Sequence, residues 1–218
     1  MRVLLVSALF VLVPVVAAAQ GVWFAGVSMG ASDGSAYAGA MGEGRWTGKA
    51  LLSAGRYRYE SGLSEIEGRE QGLQLLAMRR ASGVGGWANA GVGLRLLDTD
   101  LSRPDPGNAK AGTRLDLLLQ ADGGWRMRRH EAQVWAAVSP TTRDASALVR
   151  VLRGPPQDRL RFGLELAGAG DPSYARAQIG LVAARRLGER ATILFSAGAQ
   201  AQDGEGSAYA GISVSGAR

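Results

Sequence analysis

The sequence predicts an all-β protein: a single antiparallel up-and-down transmembrane β-barrel of about twelve strands. Three observations predict it. Glycine supplies 32 of 218 residues, and at about 1 kcal/mol per helix-interior glycine relative to alanine such a density opposes a helical fold. Apolar and polar residues alternate with period two along much of the chain, which is the pattern of strands with one apolar and one polar face. The stretches that alternate reach the roughly 9–11 residues that a tilted membrane-crossing strand needs, whereas a typical globular strand has about 5–6.

Composition removes whole classes of chemistry. The chain has no Cys and one His, which excludes disulfide scaffolds, thiol catalysis and zinc sites of the usual ligand sets. The formal charge is +6, nearly all of it from Arg, since Lys49 and Lys110 are the lysines. Those arginines are spread between acids along the chain and form no basic run interleaved with aromatics, so no nucleic-acid partner is expected.

The elements follow in order. Met1-Arg2 is a short positive segment, Val3 to Val16 is apolar apart from Ser7 and Pro14, and Ala17-Ala18-Ala19 supplies small residues before Gln20. Residues 1–19 therefore read as a cleaved secretory signal peptide, leaving 20–218 as the barrel. Strands are expected at about 21–30, 34–41, 45–59, 71–80, 86–97, 112–123, 131–139, 143–152, 158–168, 172–184, 189–200 and 206–217. The alternation is plainest in five places. Ala88, Ala90, Val92, Leu94 and Leu96 alternate with Trp87, Asn89, Gly91, Gly93 and Arg95; Leu115, Leu117, Leu119 and Ala121 with Arg114, Asp116, Leu118, Gln120 and Asp122. Leu160, Phe162, Leu164 and Leu166 alternate with Arg161, Gly163 and Glu165; Ala175 to Ala183 with Tyr174, Arg176, Gln178 and Gly180; Ala208 to Val214 with Ser207, Tyr209, Gly211 and Ser213. Closing so many strands into a barrel removes the unpaired edges they otherwise present.

The connections carry a second pattern. Odd-numbered connections hold Asp33; Glu60, Glu65, Glu67 and Glu70; Asp98, Asp100 and Asp105; Asp144; Asp171; Asp203 and Glu205. Even-numbered ones hold Arg45; Arg79 and Arg80; Arg126, Arg128 and Arg129; Arg153; Arg185, Arg186 and Arg190. One rim is thus expected to be acidic, the other basic. The two longest connections, near 60–70 and 98–111, fall on the acidic side, which places that side outside the cell. Trp23, Phe24, Trp46, Tyr57, Tyr59, Trp87, Trp125 and Trp135 lie near strand ends as girdle candidates. A soluble lipocalin-like periplasmic barrel with its apolar face turned inward stays open as an alternative, as does a generic small porin or structural barrel.

Three segments carry a family resemblance: Trp23-Phe24-Ala25-Gly26 through Ser35-Ala36-Tyr37-Ala38-Gly39-Ala40; Asp100-Leu101-Ser102-Arg103-Pro104-Asp105-Pro106-Gly107-Asn108 running into Gly112-Thr113; and Tyr174-Ala175-Arg176-Ala177 with the closing Tyr209-Ala210-Gly211. Over about 21–216 the chain resembles the cellulose biosynthesis protein BcsS family of bacterial outer-membrane barrels. The resemblance implies a Gram-negative outer membrane and a role in cellulose or exopolysaccharide biosynthesis or export. It also implies membrane lipids and lipopolysaccharide as neighbours, with a glucan chain or other cellulose-secretion components as possible partners.

Candidate functional residues fall into two groups. Arg95, Arg114, Asp116, Asp122, Arg161, Glu165, Tyr174 and Arg176 should share one lumen, either as a salt-bridged plug or as a polar track for a sugar chain with Tyr174 and Tyr209 as its aromatic platforms. Asp100, Asp105, Pro106, Gly107 and Asn108 mark an extracellular loop, with Asp105-Pro106-Gly107-Asn108 a turn sequence that either stands free or folds over the pore. No catalysis, cofactor or metal is expected. Asp116 and Asp122 are six positions apart on one strand face, roughly 20 Å by strand rise, too far to act as a glycosidase pair together. The single His130 sits in the basic turn Arg126-Met127-Arg128-Arg129-His130.

Overall fold

A computed structural model describes residues 21–61, 64–106, 108, 111–154, 157–172 and 174–217. The expected signal peptide lies outside the described residues. The strands are β1 (Gly21–Gly30), β2 (Asp33–Gly42), β3 (Trp46–Ser61), β4 (Ser64–Gly83), β5 (Gly86–Leu101), β6 (Gly112–Met127), β7 (His130–Ser139), β8 (Asp144–Arg153), β9 (Leu160–Asp171), β10 (Tyr174–Leu187), β11 (Ala191–Gln202) and β12 (Glu205–Ala217). Each pairs antiparallel with its sequence neighbours, and β1 closes on β12 from Val22↔Ala217 to Gly30↔Tyr209. The result is a closed barrel.

The side-chain period sorts the two faces as the sequence suggests. Leu164 (58% exposed), Leu181 (70%) and Leu117 (43%) point outward with Val92, Leu94, Phe162, Ile179 and Ile212. Asp116, Glu165, Gln120, Gln200 and Arg161 are buried inside. A water-soluble barrel is built the other way round, so the lipocalin-like alternative falls: only a hydrocarbon surrounding accommodates this surface. The interior is not purely polar. Met41, Leu76, Met78, Leu118 and Ala137 form one apolar cluster inside, with Trp135 against it, and Leu152, Val182, Ala184 and Leu194 form another.

The upper limit of the lipid belt is legible in the register. Gln71, Asp98 and Thr113 lie side by side on the outer face of β4, β5 and β6. Below them that face carries Leu73, Leu75, Leu96, Leu115 and Leu117; above it carries Arg69, Glu67, Glu65 and Asp100.

Four expectations need correction. The stretch 60–70 is not a long loop: β3 and β4 stay paired from Trp46↔Arg79 to Ser61↔Ser64, forming a hairpin that projects beyond the belt. The sequence pattern fades there because the outer face meets water and carries Arg69, Glu67 and Glu65, while the inner face of β4 holds only Ile66 and Gly68 buried. Likewise β5 runs on through Leu101, so Asp100 belongs to a strand, paired with Arg69, and the loop proper begins at Ser102. The charge sorting is incomplete: Arg56, Arg58, Arg69 and Arg103 also lie on the extracellular side, while Asp33 and Asp144 turn into the lumen. Finally, the aromatics do not make two girdles. Trp23, Trp46 and Trp125 face outward near the periplasmic end, whereas Phe24, Tyr57, Tyr59, Trp87 and Trp135 fall on the inner face of the register.

Two glycines show why the composition is what it is. At Gly93 a Cβ would sit 2.0 Å from the Leu75 carbonyl oxygen and 2.6 Å from the Leu76 Cα, so the close approach of the β4 backbone requires glycine there. At the closing seam, the Trp23 ring lies 2.6 Å from where a Gly216 Cβ would be. The aromatic covers bare backbone, as in aromatic rescue of sheet glycines.

Candidate functional site

The lumen is crossed by chords, ion pairs and hydrogen bonds that join strands not adjacent in the wall. Arg95 on β5 donates to Asp116 on β6 (2.8 Å) and, three strands round, to Asp144 on β8 (2.5 Å). Thr142 of the β7–β8 turn donates to Asp144 (2.8 Å) and accepts from Arg95 (3.2 Å), fixing the carboxylate that ends the chord. Arg176 on β10 pairs with Asp33 on β2, and Gln200 on β11 donates to the other Asp33 oxygen (2.8 Å). Gln178 donates to Gln200 (2.8 Å) and extends this network along the wall.

A second group sits deeper. Arg150 on β8 pairs with Glu165 on β9, and the Tyr209 hydroxyl of β12 reaches the second Glu165 oxygen (3.4 Å). Arg150 also approaches Gln133 (3.4 Å), which donates to Glu131 (2.7 Å). Glu131 in turn accepts from Arg161 (2.5 Å). Asp122 accepts from Asn89 (2.8 Å) and Gln120 (2.9 Å), and the buried Lys49 lies 5.3 Å from the Phe24 ring centroid. Each buried charge thereby meets an opposite charge, a polar partner or a ring, as it must where stranding one costs several kcal/mol.

The eight lumen residues expected from sequence all lie on the inner face. Arg95, Asp116, Asp122, Arg161, Glu165 and Arg176 join the networks just described. Arg114 sits beside Leu97 in the register, and Tyr174 is half-buried at the extracellular mouth, opposite Asp171. The partners that complete those networks are Asp33, Asp144, Glu131 and Arg150. Arg150 was findable, because Ser146, Leu148, Arg150 and Leu152 occupy the inward register of β8. Asp33 and Asp144 each start a strand, where a turn acid and a lumen acid look alike in sequence.

The three lumen carboxylates weighed for glycoside hydrolysis are each taken up by other partners. Asp116 is held by Arg95, Asp122 by Asn89 and Gln120, and Glu165 by Arg150 and Tyr209. His130 is exposed at the start of β7. Among the described residues no cluster of three His, Asp or Glu side chains is placed to hold a metal ion.

The extracellular loop is tied down over the mouth. The Asn108 amide donates to the Asp105 carbonyl (3.1 Å), which closes the expected turn at Pro106; Gly107 lies outside the described residues. The Tyr59 hydroxyl donates to Asp105 Oδ2 (2.7 Å) and accepts from Asn108 Nδ2 (3.0 Å). Tyr59 lies on the projecting part of β3, its ring stacked on Tyr57 with centroids 5.9 Å apart. Loss of hydration, then the Asp105 contacts, push its phenol up to about 12. Across the same mouth Gln202 on β11 donates to the Arg58 carbonyl of β3 (3.3 Å).

The comparisons agree with this architecture. A family model described as cellulose biosynthesis protein BcsS matches residues 17–218. No curated protein matches the chain. Among solved structures, an outer membrane channel from Pseudomonas putida F1 is similar with a TM-score of 0.58 at 12% identity, over 91% of this chain and 96% of that one. The translocator domain of the autotransporter NalP from Neisseria meningitidis gives 0.55 at 14% identity, over 91% and 88%. The KdgM porin gives 0.53 at 6% identity, over 90% and 99%, and a second structure of that porin holds disordered oligogalacturonate. Identities this low speak to the fold alone.

Proposed function

The chain belongs to the cellulose biosynthesis protein BcsS family, and on that premise we propose that it is a non-enzymatic outer-membrane accessory protein that supports cellulose or related exopolysaccharide export as a plugged barrel. The observation that carries the reading is the set of chords across the lumen, Arg95 to Asp144 and Arg176 to Asp33 above all. A conducting track needs a continuous wet path, whereas these pairs bridge strands three and four places apart in the wall, and two apolar clusters also occupy the interior. Tyr209, 5% exposed and hydrogen-bonded to Glu165, is part of this filling and offers no free ring face to a sugar. Contact with a glucan then belongs to the extracellular mouth, where Tyr174 and the Tyr57–Tyr59 stack are half-buried.

The test is deletion of the gene with cellulose secretion measured directly. Secretion should fall and return with the intact chain; normal secretion from the deletion strain would end the cellulose role. A second reading, a small porin that passes oligosaccharides, draws on the likeness to the KdgM porin, which has been solved with oligogalacturonate. Stable single-channel steps from the purified protein in planar bilayers would favour the porin over the plug.

A further inference from the structure

The outer face of the projecting β3–β4 hairpin carries a basic patch that the barrel itself does not neutralise. Going up from the lipid belt, the residues facing one another on that side are Leu52 and Leu73, Ala54 and Gln71, Arg56 and Arg69, and then Arg58 and Glu67. Arg56 and Arg69 are thus directly opposite on one face, an arrangement of like charges that weakens strand pairing. Arg69 is satisfied from its own sheet: it donates to Glu67 through Nε (3.0 Å) and Nη2 (2.9 Å), and Asp100 is its register partner on β5. Arg56 and Arg58 make no ion pair among the described residues, and Glu67 is the acid they share with Arg69. All three guanidinium side chains are exposed. Their combined field holds the Glu67 carboxyl below the ordinary carboxylate range, with the Arg69 hydrogen bond the largest cause.

Height and chemistry specify the kind of anion the patch suits. Arg56 stands four positions above Leu52, roughly 10 Å after allowing for strand rise and tilt, so the patch lies just outside the hydrocarbon at the level of outer-leaflet headgroups. Guanidinium groups match phosphate oxygens in geometry as well as charge. We infer that Arg56 and Arg58, backed by Arg69, form a docking site for the phosphate of a phosphorylated glycolipid of the outer leaflet, whose acyl chains lie against Leu52, Leu73 and Leu75. This acidic-looking end of the barrel would then be anchored on its β3–β4 side through its few free cations.

The test uses the full barrel in mild detergent, with bisphosphorylated lipid A as the probe and the heat-modification midpoint and bound lipid as readouts. The phosphorylated lipid should bind and raise the midpoint, while dephosphorylated lipid A or inorganic phosphate at equal concentration should do neither. The variant Arg56→Gln/Arg58→Gln should fold, as its heat shift without lipid will show, and lose affinity about 25-fold, taking about fivefold per arginine near the membrane surface. Arg128→Gln/Arg129→Gln at the opposite end should bind like the parent. The site is refuted by equal binding of the dephosphorylated lipid, by full displacement with inorganic phosphate, or by unchanged affinity in the Arg56/Arg58 variant. Equal losses in both double variants would also refute it, since they would mark a general charge effect.

Discussion

Glu165 shows how much one side chain decides here. It is 5% exposed, pairs with Arg150, and receives the Tyr209 hydroxyl from three strands away. Glu165→Lys would leave Arg150 facing a second buried cation, and breaking a buried pair costs about 3–5 kcal/mol. The heat-modification temperature of the barrel should drop by many degrees. An unchanged temperature with altered conductance would mean that the lumen charges line a track and do not hold a plug. The inward position of Glu165 was legible in the sequence, because Leu164 and Leu166 flank it. Its partner Tyr209, three strands away, was not, since period two assigns a face but says nothing about which side chain on that face comes within reach. Asp33 and Asp144 make the same point more sharply: their strand-end positions suggest rim charges, and only barrel closure turns them toward Arg176 and Arg95.

Hairpins obey rules that no single residue carries. The β4–β5 ladder requires glycine at position 93, so Gly93→Ala should push β5 off β4 and lower the heat-modification temperature, whereas Ala90→Gly on the outer face of β5 should have a small effect. At the mouth, Tyr59→Phe removes both hydrogen bonds to Asp105 and Asn108 and should make the 102–111 loop more open to protease while the barrel stays folded. Protection equal to that of the parent would show that the turn is held by other contacts. The pH dependence of this latch has a definite sign. Tyr59 is raised from 10.0 to about 12 in the folded protein, so its neutral, bonded form contributes fully below about pH 10 and is lost as pH rises through about 12. An ultraviolet titration of the parent minus the Tyr59→Phe variant should place a phenol there. The sequence foretold the turn at 105–108 from its Pro and Asn. Tyr59 itself fell within the expected strand 45–59, but its bonds to Asp105 and Asn108 were hidden, because they join residues more than forty positions apart.

For the molecule as a whole, the plug reading predicts no stepwise conductance from the purified barrel in a planar bilayer. Removing two chords together, as in Arg95→Ala/Arg176→Ala, should open transient conductance if the chords are what close it. Steady conductance in the parent would reverse that account. Most of the architecture could be read in the sequence: twelve strands, their order, the outward leucines and the inward charges all follow from a period of two. That period is set by the backbone pleat and by the opposite solvents on the two faces, lipid outside and a packed polar core inside, so it is written locally in every strand. What only the tertiary structure decided is the long-range part: the chords across the lumen, the loop pinned on Tyr59, the β3–β4 projection and the exposed arginines it lifts above the membrane. Those depend on closure and stagger, which bring residues more than a hundred positions apart, such as Asp33 and Arg176, within bonding reach. No local pattern encodes that distance.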